Sequence, residues 1–404
     1  MPSMTVQQAR AFILSRIKAL PQESVPVQHA ARRVLAQDIA SPADIPAYTN
    51  SAMDGFALRC SALAADAPAV LRIAGEALAG HPFTGSVKAH ETIRITTGAA
   101  VPAWADAVIP FEKVVEENGA ITLQPGSVRP GANIRRQGEL LRAGDAALSR
   151  GRRLSRADAA FLASLGIASV PVARSPIVSL LITGDELVAP GEPCPSGKIY
   201  DANSLAVQSL IESAGGICQN FGILADDPQV LRETLEAALA VSDMIILSGG
   251  AADSKADFSH RILSEIGSIE PWTVNMRPGR PMRFARIKDT PAFILPGNPV
   301  AAFVTFLEFV RGALLAMQGA ERIWPEQIQA FAECDIRTKP GRAEFVRGFA
   351  HTEGGRVLVR PVASQSSASL STLTDCNALI AVDHDETVQA GALVSVQLLD
   401  RLIG

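Results

Sequence analysis

The sequence has no Cys-x-x-Cys pair and no His-Glu-x-x-His, and its six histidines show no paired-ligand spacing. These absences argue against a zinc site. Its five cysteines, Cys60, Cys194, Cys218, Cys334 and Cys376, are widely scattered and odd in number, which fits reduced thiols better than a disulfide framework. No basic run exceeds Arg135-Arg136 or Arg152-Arg153, and the formal net charge is −4. The broad electrostatic drive toward nucleic acid is therefore missing. No apolar run reaches the roughly 18–20 residues that a membrane span needs. The N-terminal stretch does not read as a signal peptide either: Val6, Ala9, Ile13, Ile17 and Leu20 recur at helical steps, with Thr5 and Gln8 placed as a capping box. A cytoplasmic protein with no nucleic-acid or membrane partner is expected.

What the chain does contain is a large apolar fraction, 48% hydrophobic against 19% charged over 404 residues. That composition folds, and the length calls for two to four domains. Three textures alternate. Residues 1–40 read as helical, 41–150 as short β runs (92–96, 107–110) between Gly and Pro turns, and 155–165 as a helix stopped by Gly166. The expected division is a discontinuous N-terminal helical domain at 1–45 and 141–175, a β-rich domain inserted at 46–140, an α/β domain at 176–325, and a C-terminal all-β domain at 326–404. Within the α/β part, strands at 177–183, 218–224, 244–247, 272–276 and 292–295 alternate with helices at 202–214, 228–241, 258–266 and 300–317. Such alternation predicts a mostly parallel sheet with right-handed crossovers. In the last part Glu353-Gly354-Gly355 marks a hairpin, and 392–399 a strand.

Ligands of an open parallel sheet bind beyond the carboxyl ends of its strands. Five unusual loops are expected there: TGDEL (183–187), ADDP (225–228), SGGAADSKAD (248–257), RPGRP (277–281) and LPGNP (295–299). One such loop is ordinary turn chemistry, and Asp226 or Asp227 before Pro228 reads equally well as a helix cap. Five converging on one edge imply a cleft. Its glycines admit backbone N–H groups to an anion, while Asp185, Glu186, Asp226, Asp227, Asp253 and Asp257 would repel that anion unless a divalent cation intervened. Mg²⁺ held by one or two carboxylates and substrate phosphate oxygens resolves the conflict, so a phosphorylated, nucleotide-like substrate follows. Two further segments, PAYTNSAMDGFALR (46–59) and RITTGAAVPAWADAVIPFEKV (94–114), match no general enzyme motif.

NSAMDGFA, ITTGAAVPAWADAVIP, GANIRRQGE, TGDEL, SGG…AD, PGRP, LPGNPVA and GRAEFVRG, in this order and spacing, resemble the MoeA family of molybdopterin molybdenumtransferases, which includes the gephyrin E domain. The likeness extends over essentially the whole chain. It implies a four-domain subunit and a homodimer whose cleft lies between the α/β domain of one subunit and the β-rich insert of the other. It further implies Mg²⁺-dependent attack of molybdate on adenylylated molybdopterin, with release of AMP. The family's functional groups fall on Asp54, Glu186, Asp226 and Asp257, on Thr97 (or its neighbour Thr96), and on Arg347, with Asp226, Asp257 and Glu186 as metal ligands. The pterin would meet Ser248, Gly249 and Gly250, then Arg277, Gly279 and Arg280, then Pro296, Gly297, Asn298 and Pro299. Partners implied are a molybdopterin adenylyltransferase and molybdoenzyme-maturation proteins. The chain departs from the family pattern at Leu140, at Ala252-Asp253-Ser254-Lys255, at Ala301 and Gln365-Ser366-Ser367, and at Arg277 and Arg280, where lysines are usual. Two alternatives stay open, molybdopterin adenylylation and a weakened paralogue that binds or carries the cofactor.

Overall fold

Thr5 caps the first helix, Val6–Leu14, through a complete capping box with Gln8. The helix buries Val6, Ala9 and Ile13 and then stops, so the helical reading of residues 1–40 fails beyond it. Prolines at 21 and 26 withhold backbone donors, and Gln22–Pro26 instead pairs as a strand with Ser169–Ala173. The computed structural model describes residues 3–64, 66–249, 258–339, 341–383 and 387–399, with backbone only at 258–260. They gather into two compact units, one of residues 38–149 and 157–168, the other of the rest.

The first unit is built on a six-stranded sheet in the order Ala107–Pro110, Gly55–Leu58, Glu91–Ile95, Ala69–Ala77, Ala120–Leu123, Val115–Glu117. Both of its faces are covered: Phe56, Leu58 and Ile109 pack on one side, Ala57, Ile93 and Val108 on the other. This is why Gly55–Leu58 and Ala107–Pro110 read as continuous apolar runs. Gly55 is required by close approach, since a Cβ there would lie 2.0 Å from the carbonyl oxygen of Ile109.

In the second unit the α/β sheet runs Ile217–Leu224, Ile177–Thr183, Met244–Ser248, Thr290–Leu295, Arg283–Ile287, Ser268–Ile269. The first four strands are parallel, as expected. The last two are an antiparallel edge. Val178, Leu180 and Ile182 face the helices Val6–Leu14 and Asn203–Ser213 and the long helix Pro299–Met317. Leu181, Ile245 and Leu247 face Pro228–Val241 and Phe258–Ile266. Pro299–Met317 contains a π turn at Phe306–Val310. It is apolar and long enough to cross a membrane, yet 89% of it is buried inside the fold, where it serves as the core helix.

One expected strand is corrected. Residues 272–276 do not enter the α/β sheet: Thr273–Val274 pairs with Ser3–Met4, and Met276–Arg277 adds to the C-terminal sheet beside Ala343–Glu344. In that sheet Ala343–Glu353, Arg356–Pro361, Ile328–Ala332, Leu393–Leu398 and Ala378–Val382 close on themselves through a pairing of the first with the last. Gly354 and Gly355, both at positive φ, form the two-residue hairpin turn whose twist matches the strands. The molecule is thus multidomain α/β plus β.

Candidate functional site

The topology changes direction between Ile177–Thr183 and Met244–Ser248: the chain leaves the first strand to one side, for Ile217–Leu224, and returns on the other. That switch point is where an open α/β sheet offers a crevice. TGDEL and SGG flank it. Gly249 sits at φ +104°, and a Cβ there would lie 2.4 Å from the Thr183 carbonyl oxygen, so only glycine lets these two loops meet. Asn203, at the start of Asn203–Ser213, donates from Nδ2 to Ser248 Oγ (2.8 Å) and to the Gly297 carbonyl (2.9 Å). One buried amide therefore ties SGG to LPGNP. Sequence reasoning missed Asn203 because it lies outside the five loops, in the first turn of a helix, where Asp201 accepts from Ser204 N.

The acids of the other loops separate by role. Asp227 caps Pro228–Val241, accepting from Gln229 N at 2.7 Å and Val230 N at 3.1 Å. Asp226 is left for other work. Its backbone N–H donates to Asp185 Oδ1 (3.0 Å), and Asp185 N–H returns a longer bond of 3.4 Å to Asp226 Oδ2. The exposed Glu186 carboxylate folds back over Gly184, where a Cβ would lie 2.8 Å from it. Gly250 and Asp257, both expected in the site, lie outside the described residues, as does Asp253. Among the described residues no three His, Cys, Asp or Glu side chains gather as a metal site. The braced pair Asp185–Asp226 nevertheless offers oxygen donors of the kind Mg²⁺ accepts alongside phosphate.

A cavity of about 1020 Å³ opens beside LPGNP. RPGRP lines it, although not from the end of an α/β strand as expected; Arg277 arrives from the C-terminal sheet. Gly279, at φ +111°, presses its turn onto the long helix, and a Cβ would meet Thr305 Cγ2 at 2.2 Å. Pro296 and Asn298 line the cavity too. Asn298 Nδ2 reaches Ser367 Oγ at 3.4 Å, and Val300 N donates to the Ser367 carbonyl at 3.2 Å; Pro299 opens the helix. Six cations border the cavity: Arg277, Arg280, Arg337, Lys339, Arg342 and Arg347. Asp335 and Glu344 are the carboxylates.

Arg347 is the most unusual of these, 1% exposed and the largest fully buried side chain of the described residues. Its guanidinium donates weakly to the carbonyls of Ser364 (3.4 Å) and Ser366 (3.2 Å), and its Nε has no partner. Burial, and then the nearby Arg277 charge, lower its pKa, though a guanidinium remains charged. A buried cation with an unused donor and no carboxylate partner among the described residues is prepared for an anion.

In the β-rich unit, NSAMDG folds against TTG: Gly98 N donates to the Ser51 carbonyl and Ser51 N to that of Ala99. Asp54 Oδ1 accepts from Thr97 N at 2.6 Å and Thr97 Oγ1 at 2.9 Å. Those two bonds hold its carboxyl below the usual range. Thr96 is engaged elsewhere, accepting from Ala79 N at 3.2 Å.

The MoeA N-terminal region (domain I and II) family model matches residues 4–166. A probable molybdopterin binding domain matches 179–316, and the MoeA C-terminal region (domain IV) 329–399. A molybdopterin molybdenumtransferase from Haemophilus influenzae is 36% identical over 99% of this chain and 100% of its own length. A second, from Nostoc, is 33% identical over 90% and 86%. The crystal structure of a molybdopterin biosynthesis moeA protein from Pyrococcus horikoshii superposes with a TM-score of 0.84 at 31% identity, covering 98% of this chain and 100% of that one.

Proposed function

We propose, from the premise that the chain belongs to the MoeA family of molybdopterin molybdenumtransferases, that it inserts molybdate into adenylylated molybdopterin with release of AMP. It is an enzyme of molybdenum-cofactor biosynthesis. Supporting it most is Arg347, a buried guanidinium facing a cavity bounded by the RPGRP and LPGNP loops. Arg347 with Arg280 and Arg277 would hold the molybdate oxyanion. The pterin would lie along Gly249, Gly297 and Ser248, where glycine lets the backbone come close.

Asp226, with Asp257 and Glu186, would hold Mg²⁺, which neutralises developing charge on the phosphate when bound. Asp185 positions Asp226 through the paired backbone bonds. Asp54, kept ionised by Thr97, would act as an acceptor for a substrate proton or amino group. Because Asp54 and Thr97 lie in a different unit from the loops, we propose a homodimer in which one subunit's pair serves the other's cleft. The five free cysteines suit the proposed cytoplasmic setting.

The test is AMP release from adenylylated molybdopterin by the full chain. Release stimulated by molybdate and abolished by EDTA supports the reading. Release indifferent to EDTA would remove Mg²⁺ from it, and no release would remove the reaction.

A further inference from the structure

The cavity holds more positive charge than one oxyanion can use. A tetrahedral oxyanion is satisfied by a few charge-assisted bonds, and Arg277, Arg280 and Arg347 supply them. Arg337, Lys339 and Arg342 line the same cavity, and among the described residues none of their side chains pairs with a carboxylate. Unneutralised like charges gathered around one cavity repel unless an anion sits among them. The volume, about 1020 Å³, also lies at the upper end for small-molecule sites, far beyond a lone oxyanion.

One carboxylate divides the cations. Arg347 is buried, whereas Arg277, Arg280, Arg337 and Lys339 are exposed. Glu344, 8% exposed, sits where the groups meet. Its Oε1 accepts from Arg277 Nη1 at 3.4 Å and from the Lys339 backbone N–H at 2.9 Å. One carboxylate thus steadies Arg277 on one side and anchors the Lys339 backbone on the other.

We propose that Arg337, Lys339 and Arg342 form a second anion subsite in the cavity, on the Lys339 side of Glu344, which takes a phosphate monoester. This deepens the reading above and rests on it for Arg277, Arg280 and Arg347: loss of AMP from adenylylated molybdopterin leaves a phosphate monoester, which would lie at Arg337, Lys339 and Arg342 with the oxyanion at Arg280 and Arg347. A phosphate monoester carries close to two negative charges at neutral pH, matching three cations that form no ion pair among the described residues, with Asp335 the one further carboxylate of the lining besides Glu344.

Titration calorimetry on the full chain, with phenyl phosphate, inorganic phosphate and molybdate as probes at fixed ionic strength, tests this. Lys339→Ala combined with Arg342→Ala should weaken phenyl phosphate by about tenfold or more and leave molybdate unchanged. Arg280→Ala should do the reverse. Phenyl phosphate should bind as well after saturation with molybdate as before, and more tightly than inorganic phosphate. Full competition between phenyl phosphate and molybdate, or equal weakening of both by the double variant, would overturn the second subsite. Equal affinity for the two phosphates would overturn the ester assignment. Should molybdate fail to bind the wild type, the oxyanion assignment falls, and the phenyl phosphate arm still decides the second subsite.

Discussion

At the scale of single residues, hydrogen-bond geometry separates groups that the sequence left equivalent. Thr97 rather than Thr96 grips Asp54, and Asp227 rather than Asp226 caps the helix. The lowered pKa of Asp54 means that folding favours its ionised form. That contribution is present above the unfolded-chain value and is lost as pH falls through the folded value. Thr97→Val removes the hydroxyl donor, so the Asp54 titration followed by NMR should move up toward the ordinary carboxylate range. The acid limb of activity should move with it, and a titration that stays in place contradicts the arrangement. Arg280→Lys replaces a planar fork with a point charge and should weaken molybdate binding, with Arg280→Ala weaker still; three equal affinities would take Arg280 out of the site. Thiol labelling offers an independent check. Burial and Asp106 push Cys60 up to about 12, and burial pushes Cys218 up to about 11. At about pH 8 exposed Cys194 and Cys334 should therefore alkylate first. Of the site, the loops and Arg347 were legible as motifs. Asn203, Arg337, Lys339 and Arg342 were not, because nothing local to an exposed basic residue says which cavity it borders.

Among the elements, those with strong local signals matched the sequence reading. Ile177–Thr183 is an apolar run interrupted only by Ser179 before its closing Thr183, Pro228–Val241 has Asp227 and Pro228 at its start, and Phe258–Ile266 buries Ile262 and Leu263. Arg283–Ile287 went unseen because its period is masked by Arg283 and Arg286, although Arg283 is only 4% exposed. The 272–276 run looked like a sheet strand, yet its pairing partners, Ser3–Met4 and Ala343–Glu344, are distant in sequence and beyond local pattern. The long core helix carries its own vulnerability. Glu308, wholly buried in the π turn, pairs with Arg10 of the first helix, and Arg10 also lies over the Trp324 ring, 4.7 Å from its centroid. Arg10→Met strands a buried carboxylate and should cost about 3–5 kcal/mol in denaturant unfolding. Adding Glu308→Leu should recover much of that, and a double variant as unstable as the single one would contradict the pairing.

For the whole molecule, the family matches begin at residue 4 and end at 399. Sedimentation should find a homodimer at micromolar concentration, and an active stable monomer would refute a cleft shared between subunits. The metal is tested by Asp226→Ala, expected to slow turnover by about 10²-fold, or about 2.7 kcal/mol of transition-state stabilisation. The central claim is that this chain makes finished cofactor. Its most direct measurement is the reconstitution of an apo-molybdoenzyme after incubating the protein with adenylylated molybdopterin, Mg²⁺ and molybdate. The account predicts activity that requires molybdate and is lost in Arg280→Ala. Release of AMP without any reconstituted activity would contradict it, and would mark the chain as a binder or carrier of the cofactor instead.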